Sequence, residues 1–349
     1  MKNRKKGLIL MLSFVLVFSL FMGGCGSEQT GGEGAAEGEE KLDLRVAMVL
    51  PGATSDADYN SLGYVTLTHI EKEYGIDVAY TENAQIPDIP RILNEYINSG
   101  FNVIWSHGNQ FNEATIEVAE KNPDVSFIIE LDVAPAEADR LPNIFYVERN
   151  YHSGYYVQGA AAALASKTGK IGYVGGLELP YQKTMLNAIQ QAIDDLGIDV
   201  KVLYSFTGDN NDALKAKQSS EAFIAQGCDV LISGVNMGTY GIFNAVTEAQ
   251  SDILVGCMYS SKAGQLPDNY LSAELFDFNV VMEHVIESLK EGVTGDVILM
   301  EYGKGKARYT EFPLLNVSEE VNAKAQELAD AVESGEIVVE MNMDTINVK

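Results

Sequence analysis

Residues 171–204, IGYVGGLELPYQKTMLNAIQQAIDDLGIDVKVLY, decide the fold. A short apolar run at 171–174 passes through a glycine-containing turn into an amphipathic stretch at 182–196, and a second short apolar run follows at 200–204. A strand, a helix and a strand in that order make a βαβ unit, whose two strands lie parallel because the helix carries the chain back across the sheet. The pattern extends in both directions. Downstream, helical periodicity at 214–226 and 240–249 alternates with apolar runs at 230–232 and 253–257. Upstream, runs at 44–50, 78–80, 103–105, 125–129 and 144–147 alternate with amphipathic stretches at 62–74, 89–97 and 113–121, and a helix at 152–166 opens the second series. Such alternation predicts parallel sheets with helices on both faces.

The restart after Asn150 divides the chain into two doubly wound halves. About 300 residues exceed what one hydrophobic core usually organises, which again favours two lobes. A strand at 270–275 and helix at 278–290 are expected to return to the first half, and the segment 307–315 with the helix 319–333 to complete the second. The expected lobes are therefore 42–150 plus 270–303 and 151–260 plus 306–349. Hinges are expected at 147–152, 260–271 and 302–307, and ligand is expected in the cleft, where loops at the carboxyl ends of parallel strands converge.

The N-terminus reads as an export signal. Lys2, Arg4, Lys5 and Lys6 precede an apolar run at 7–22, and Gly23 and Gly24 lead to Cys25. A charged start, a short apolar run and small residues before a cysteine outline a lipoprotein signal peptide over 1–24. The run is at the short end of what a membrane-spanning helix needs, which disfavours a transmembrane anchor. Diacylated Cys25 would hold the chain on the outer face of the cytoplasmic membrane, the lipid being its only membrane contact. Residues 25–41 are rich in glycine and glutamate and read as a flexible linker.

Charge excludes other classes. With 24 Lys and Arg against 50 Asp and Glu, the formal net charge is −26, and removal of the basic leader makes the remainder more negative. Such a field repels nucleic acid and anionic headgroups. Cys228 and Cys257 belong to opposite edges of neighbouring strands, roughly 15 Å apart at about 3.3 Å per residue, so no disulfide is expected. His69, His107, His152 and His284 show no metal-ligand spacing. No nucleophile elbow or phosphate loop is present, and the glycines at 172–176 match a dinucleotide loop only weakly. No enzyme, metal or cofactor is expected.

The chemistry-bearing segment is the first strand-to-helix loop, 51–60, which is long and polar. It offers the carboxylates of Asp56 and Asp58, the ring of Tyr59 and the amide of Asn60, with helix capping as the plain alternative for Asp58 and Asn60. Trp105 ends the third strand and is expected to face the same surface, for stacking or cation–π contact, unless it is a core residue. Asn109 and Phe111 follow it. Tyr181, Asn236 and Tyr259 take corresponding places in the second half.

The loop Asp56-Ala57-Asp58-Tyr59-Asn60 followed by Gly63 resembles the D-x-S-[FY]-N…G signature of the basic membrane protein family, lipoproteins similar to the purine-nucleoside receptor of ABC importers. GFNVI (100–104), AEKNPDVSF (119–127), GYYVQGA (154–160), TGKIGYVGG (168–176) and QGCDVL (226–231) support it in order and spacing. The resemblance implies a type I periplasmic-binding-protein-like fold, a small heterocyclic ligand such as a purine nucleoside or nucleobase, and ABC permease subunits as partners. It also implies that Tyr59 stacks on the base and Asn60 bonds its edge. The family's aspartate after the strand ending at Gly256 is absent from Gly256-Cys257-Met258-Tyr259-Ser260. Its lysine falls on Glu274 or Leu275, and its second stacking aromatic on Ile232. Altered ribose-gripping charges leave a flavin or other non-purine ligand as the alternative, and a membrane-tethered sensor as the alternative to an importer.

Overall fold

A computed structural model describes residues 43–349. The proposed leader, Cys25 and linker lie outside the described residues. The first half runs β1 (Arg45–Val49), α1 (Tyr59–Tyr74), β2 (Asp77–Thr81), α2 (Ile89–Asn98), β3 (Val103–Ser106), α3 (Asn112–Ala119), β4 (Ser126–Leu131) and β5 (Ile144–Glu148). The second runs α4 (Tyr151–Ala165), β6 (Lys170–Gly175), α5 (Pro180–Leu196), β7 (Lys201–Phe206), α6 (Ala213–Ala225), β8 (Val230–Gly234), α7 (Thr239–Ala249), β9 (Leu254–Tyr259) and β10 (Tyr270–Phe276). The chain ends with α8 (Phe278–Lys290), β11 (Val297–Leu299), β12 (Arg308–Thr310) and α9 (Glu319–Glu333).

Two six-stranded sheets result. The first has the order β11-β5-β4-β3-β1-β2 and is parallel throughout. The second has the order β12-β10-β9-β8-β6-β7, with β12 alone antiparallel. Strict alternation along β1 explains the layering. Val46, Met48 and Leu50 enter an apolar cluster shared with α1, α4 and α8, while Ala47 and Val49 enter a second cluster beneath α2 and α3. A third cluster lies between the other face of the second sheet and α6 and α7. Both faces of each sheet are thus covered, as parallel strands require.

One expectation is corrected. β10, expected in the first half, pairs with β9 in parallel, Ala273 opposite Cys257 and Glu274 opposite Met258. Its side chains are buried on both faces, Leu271 in one apolar cluster and Tyr270 and Ala273 in another, so it needs neighbours on both sides of a sheet. Segment 260–271 therefore joins two strands of one sheet. The return to the first lobe comes at Asp277, whose carboxylate caps α8 by accepting the N–H of Asn279, and α8 packs on α1. The other crossings lie at 149–150 and 300–307.

Arg308 gathers the three crossings. Its Nε donates to Glu274 Oε1 at 2.6 Å, its Nη1 donates to the carbonyl of Arg149, and its guanidinium lies over the rings of Tyr151 and Phe276. Arg308 and Glu274 are fully buried. Asn150 Nδ2 donates to the carbonyl of Met300 at 3.2 Å, tying the first crossing to the third. Gly154 of α4 accommodates this arrangement, since a Cβ there would stand 2.3 Å from Glu274 Oε1.

Candidate ligand-binding cleft

Residues of both lobes enclose a cavity of about 320 Å³ at the carboxyl ends of the strands. Tyr59, Asn60, Asn109 and Gln110 line it from the first lobe, Arg149 and Tyr151 from the first crossing, and Tyr181, Asn210, Asn236 and Tyr259 from the second lobe. Larger depressions of about 490 and 410 Å³ lie at the opposite ends of the second-lobe strands, among polar and acidic residues such as Asp252 and Asp268, away from this aromatic set.

The loop after β1 divides its two carboxylates between separate tasks. Asp56, rather than Asp58, caps α1. Its oxygens accept the backbone N–H groups of Asp58 (2.9 Å), Asn60 (3.1 Å) and Ser61 (3.0 Å) and the Asn60 side-chain amide (2.7 Å). Burial pushes this carboxyl up, but the Asn60 amide and the three backbone donors together hold it below its ordinary value. The Asn60 carbonyl oxygen accepts the N–H of Gly52 at 3.0 Å, so this side chain also braces the loop.

Asp58 is fully buried, and Lys262, which follows β9, approaches its Oδ1 at 2.5 Å. Ser260 Oγ donates to the same oxygen at 3.2 Å, and Asn236 Nδ2 donates to Asp56 Oδ2 at 3.3 Å. The lobes are therefore latched together beside the cavity, whose lining includes neither Asp56 nor Asp58.

Glu130, on β4, organises the floor of the first lobe. It accepts from the Tyr59 hydroxyl at 2.7 Å and from Trp105 Nε1 at 3.1 Å, and His107 Nδ1 stands 2.7 Å from it. Burial pushes this carboxyl up, but His107, Arg149 and the Tyr59 hydrogen bond bring it below its ordinary value. The His107 ring stacks on Tyr59 with centroids 3.9 Å apart and planes 13° apart. One face of Tyr59 is thus occupied by the protein itself.

Besides Asp56 and Asp58, two further expected cleft residues lie elsewhere. Trp105 is fully buried in the shared apolar cluster, with its indole N–H serving Glu130. Phe111 is buried beneath α2 and α3. β3 is a central strand, so its side chains meet covered faces, and the cavity is reached by residues beyond its end, Gly108, Asn109 and Gln110. Ile232, where the resemblance would put a second stacking ring, is core.

Sequence reasoning missed Arg149, Tyr151 and Asn210. The guanidinium carbon of Arg149 stands 5.1 Å from the ring centroids of both Tyr151 and Tyr181, and those rings stack with centroids 5.1 Å apart. The expected hinge at 147–152 was the available signal, because a crossing between lobes necessarily borders the cleft. Ala57, Asn150 and Tyr259, all non-glycine residues with φ of 58°, 46° and 72°, fall at the segments that join the lobes or face the cavity. Left-handed backbone at such residues persists where the surroundings impose it, often at ligand sites.

Cys228 and Cys257 are free and buried. Among the described residues no cluster of His, Cys, Asp and Glu could hold a metal ion, and no helix is long and apolar enough to cross a membrane.

The model of the Bmp family, described as ABC transporter substrate-binding protein PnrA-like, matches residues 44–340. The chain is 23% identical over 308 residues to the ABC transporter nucleoside-binding protein BmpA of Lactococcus lactis, covering 82% of this chain and 86% of that one. It is 22% identical to basic membrane protein A2 of Borrelia garinii, covering 83% and 87%. The crystal structure of an ABC transporter solute-binding protein from Aeropyrum pernix superposes with a TM-score of 0.74 at 20% identity, covering 87% of this chain and 95% of the other, and supports the two-lobed type I binding-protein fold. The resemblance read from 56–63 and its companion motifs agrees with the family match. These are extracytoplasmic receptors that pass small molecules to permease partners, and they are not enzymes. The chain belongs to the Bmp family of PnrA-like ABC transporter substrate-binding proteins.

Proposed function

We propose that this chain captures a small heterocycle, a purine nucleoside or nucleobase, in the cleft and delivers it to ABC permease subunits while anchored at Cys25 on the outer face of the cytoplasmic membrane. The cleft carries this reading. It is lined by Tyr59, Tyr151, Tyr181 and Tyr259 together with side-chain amides, and Arg149 is the only formally charged residue among the lining. Flat aromatic walls favour a planar ligand, and amides fit the mixed donors and acceptors of a base edge. The volume lies within the roughly 300–1,000 Å³ usual for small-molecule sites. The nucleoside-binding name of the Lactococcus relative points the same way.

The sequestered Asp58 favours a ligand gripped chiefly through its base, because that carboxylate is turned to Lys262 rather than to the cavity. A flavin or another non-purine heterocycle is the second reading on the same observation. Calorimetric titration with purine nucleosides, free bases and riboflavin separates the two. Binding of a purine supports the first, binding of riboflavin alone supports the second, and binding of sugars or amino acids in place of any heterocycle overturns both.

A further inference from the structure

Arg149 is a cation inside the cleft with part of its donor capacity unused. Its backbone is fixed on both sides, because its N–H donates to the carbonyl of Leu131 at 3.1 Å and its own carbonyl accepts from Arg308. Nη2 pairs with Asp132 Oδ1 at 2.5 Å, which neutralises one edge of the guanidinium. Nε is buried and has no hydrogen-bond partner, and the side chain is about 5% exposed. Guanidinium has five N–H donors and no acceptor, so a buried unused donor has a definite chemical preference. It is satisfied by an oxygen and left unsatisfied by an N–H group.

The amide of Asn236 supplies the complement. Its Nδ2 faces the carboxylate of Asp56, and because a carboxylate only accepts, that contact fixes which end of the amide is which. Oδ1 of Asn236 is consequently an acceptor, and it is buried without a partner. Arg149 and Asn236 both line the cavity, and a guanidinium donor together with an amide acceptor is the pair that a lactam edge, a ring carbonyl beside a ring N–H, would use.

We propose that Arg149 reads a ring carbonyl oxygen of the ligand, making the cleft selective for oxo-bearing over amino-bearing heterocycles. This rests on the heterocycle reading above and specifies which members of that class are accepted. An amino group in place of the carbonyl would set donor against donor. Loss of a hydrogen bond to a charged group in a buried site reduces affinity on the order of ten- to a hundredfold.

Matched pairs that exchange the ring carbonyl and its neighbouring N–H for an amino group and a bare ring nitrogen test the proposal, inosine against adenosine and uridine against cytidine, titrated by calorimetry into the full chain and two variants. In Arg149→Gln the side-chain amide can turn either end to the ligand, so the part of the preference that depends on the carbonyl should be lost, leaving at most what Asn236 draws from the ring N–H. In Arg149→Lys the charge beside Asp132 is kept, and a reduced preference should remain. Thermal melting of each variant confirms that it folds, and the wild-type ratio needs no variant. A wild-type preference of tenfold or more for the oxo partner, reduced severalfold in Arg149→Gln, supports the proposal. Equal binding of both partners, or a preference undiminished in Arg149→Gln, overturns it while leaving the heterocycle reading intact. Failure of every heterocycle to bind overturns both.

Discussion

Lys262 Nζ stands 2.5 Å from Asp58 Oδ1, joining the segment after the fourth parallel strand of the second lobe to the first helix of the other lobe, with both side chains buried. Lys262 also donates to the carbonyls of Met258 (3.0 Å) and Ser260 (3.3 Å), so its ammonium is held as part of the second lobe whether or not Asp58 is near. This cross-lobe pair sits beside the cavity without entering it. Closure and ligand contact are thereby assigned to different side chains.

Removing one partner of a buried pair leaves the other charge uncompensated, at a cost of about 3–5 kcal/mol. Lys262→Met should therefore favour opening of the lobes. Small-angle scattering should give a larger radius of gyration for this variant than for the wild type, and saturating ligand should contract it. Identical profiles for the two proteins would show that the pair does not hold the lobes together.

Closure should also depend on pH. Burial raises the Asp58 carboxyl to about 6, more than the Lys262 charge lowers it, and neighbouring Asp56 adds to the rise. In an open form Asp58 would titrate near the ordinary value of about 3.9. The closed form therefore binds the proton more tightly. It gains stability as pH falls from about 6 toward 4 and loses that gain as pH rises through about 6, by at most about tenfold per pH unit. Asp56, held below its ordinary value, works in the opposite direction only at lower pH. His152, lowered to about 4, and Glu274, raised to about 7, lie at the hinge and titrate near the same range, so the comparison must be with Asp58→Asn. Wild-type ligand affinity should rise between pH 7 and pH 5 relative to that variant, and a constant ratio between them would refute the assignment.

The hinge depends on Arg308. Because it pairs with Glu274, bonds the Arg149 carbonyl and covers two aromatic rings, Arg308→Met should destabilise the protein by about 3–5 kcal/mol in urea unfolding. The double variant Arg308→Met, Glu274→Gln should recover part of this loss, since it removes the stranded carboxyl. No recovery would mean that packing over the rings, rather than charge pairing, dominates.

Anchoring is tested at Cys25. Cys25→Ala should abolish metabolic labelling by fatty acid and leave unprocessed precursor. Undiminished labelling in that variant would remove the lipid anchor from the account.

Periodicity made the layered architecture legible, because parallel strands buried on both faces announce themselves as short apolar runs between amphipathic helices. It did not reveal which sheet takes β10, since a strand buried on both faces carries no mark of its neighbours. Trp105 shows the same limit at the site. Its position at a strand end is readable, but the coverage of its face by α8 and the demand of Glu130 for its N–H depend on residues 25 or more positions away. Asp58 and Lys262 are 204 positions apart, and a lysine in a loop gives no sign that it will be buried. Tyr59, Asn109, Tyr181, Asn236 and Tyr259 could be found because loops at strand ends must line a cleft between such lobes.

The most direct test of a planar heterocycle held against the cleft tyrosines is native mass spectrometry of protein purified without refolding, comparing the wild type with Tyr59→Ala and Trp105→Phe. Stacking contributes roughly 1–3 kcal/mol per base in comparable sites, so Tyr59→Ala should weaken binding about tenfold to a hundredfold. Trp105→Phe, a change in the buried floor, should alter affinity far less. The account predicts a released ligand with the mass and ultraviolet spectrum of a nucleobase-type heterocycle, retained by the wild type and Trp105→Phe and depleted in Tyr59→Ala. A sugar or amino acid as the released ligand, or undiminished heterocycle in Tyr59→Ala, would contradict it.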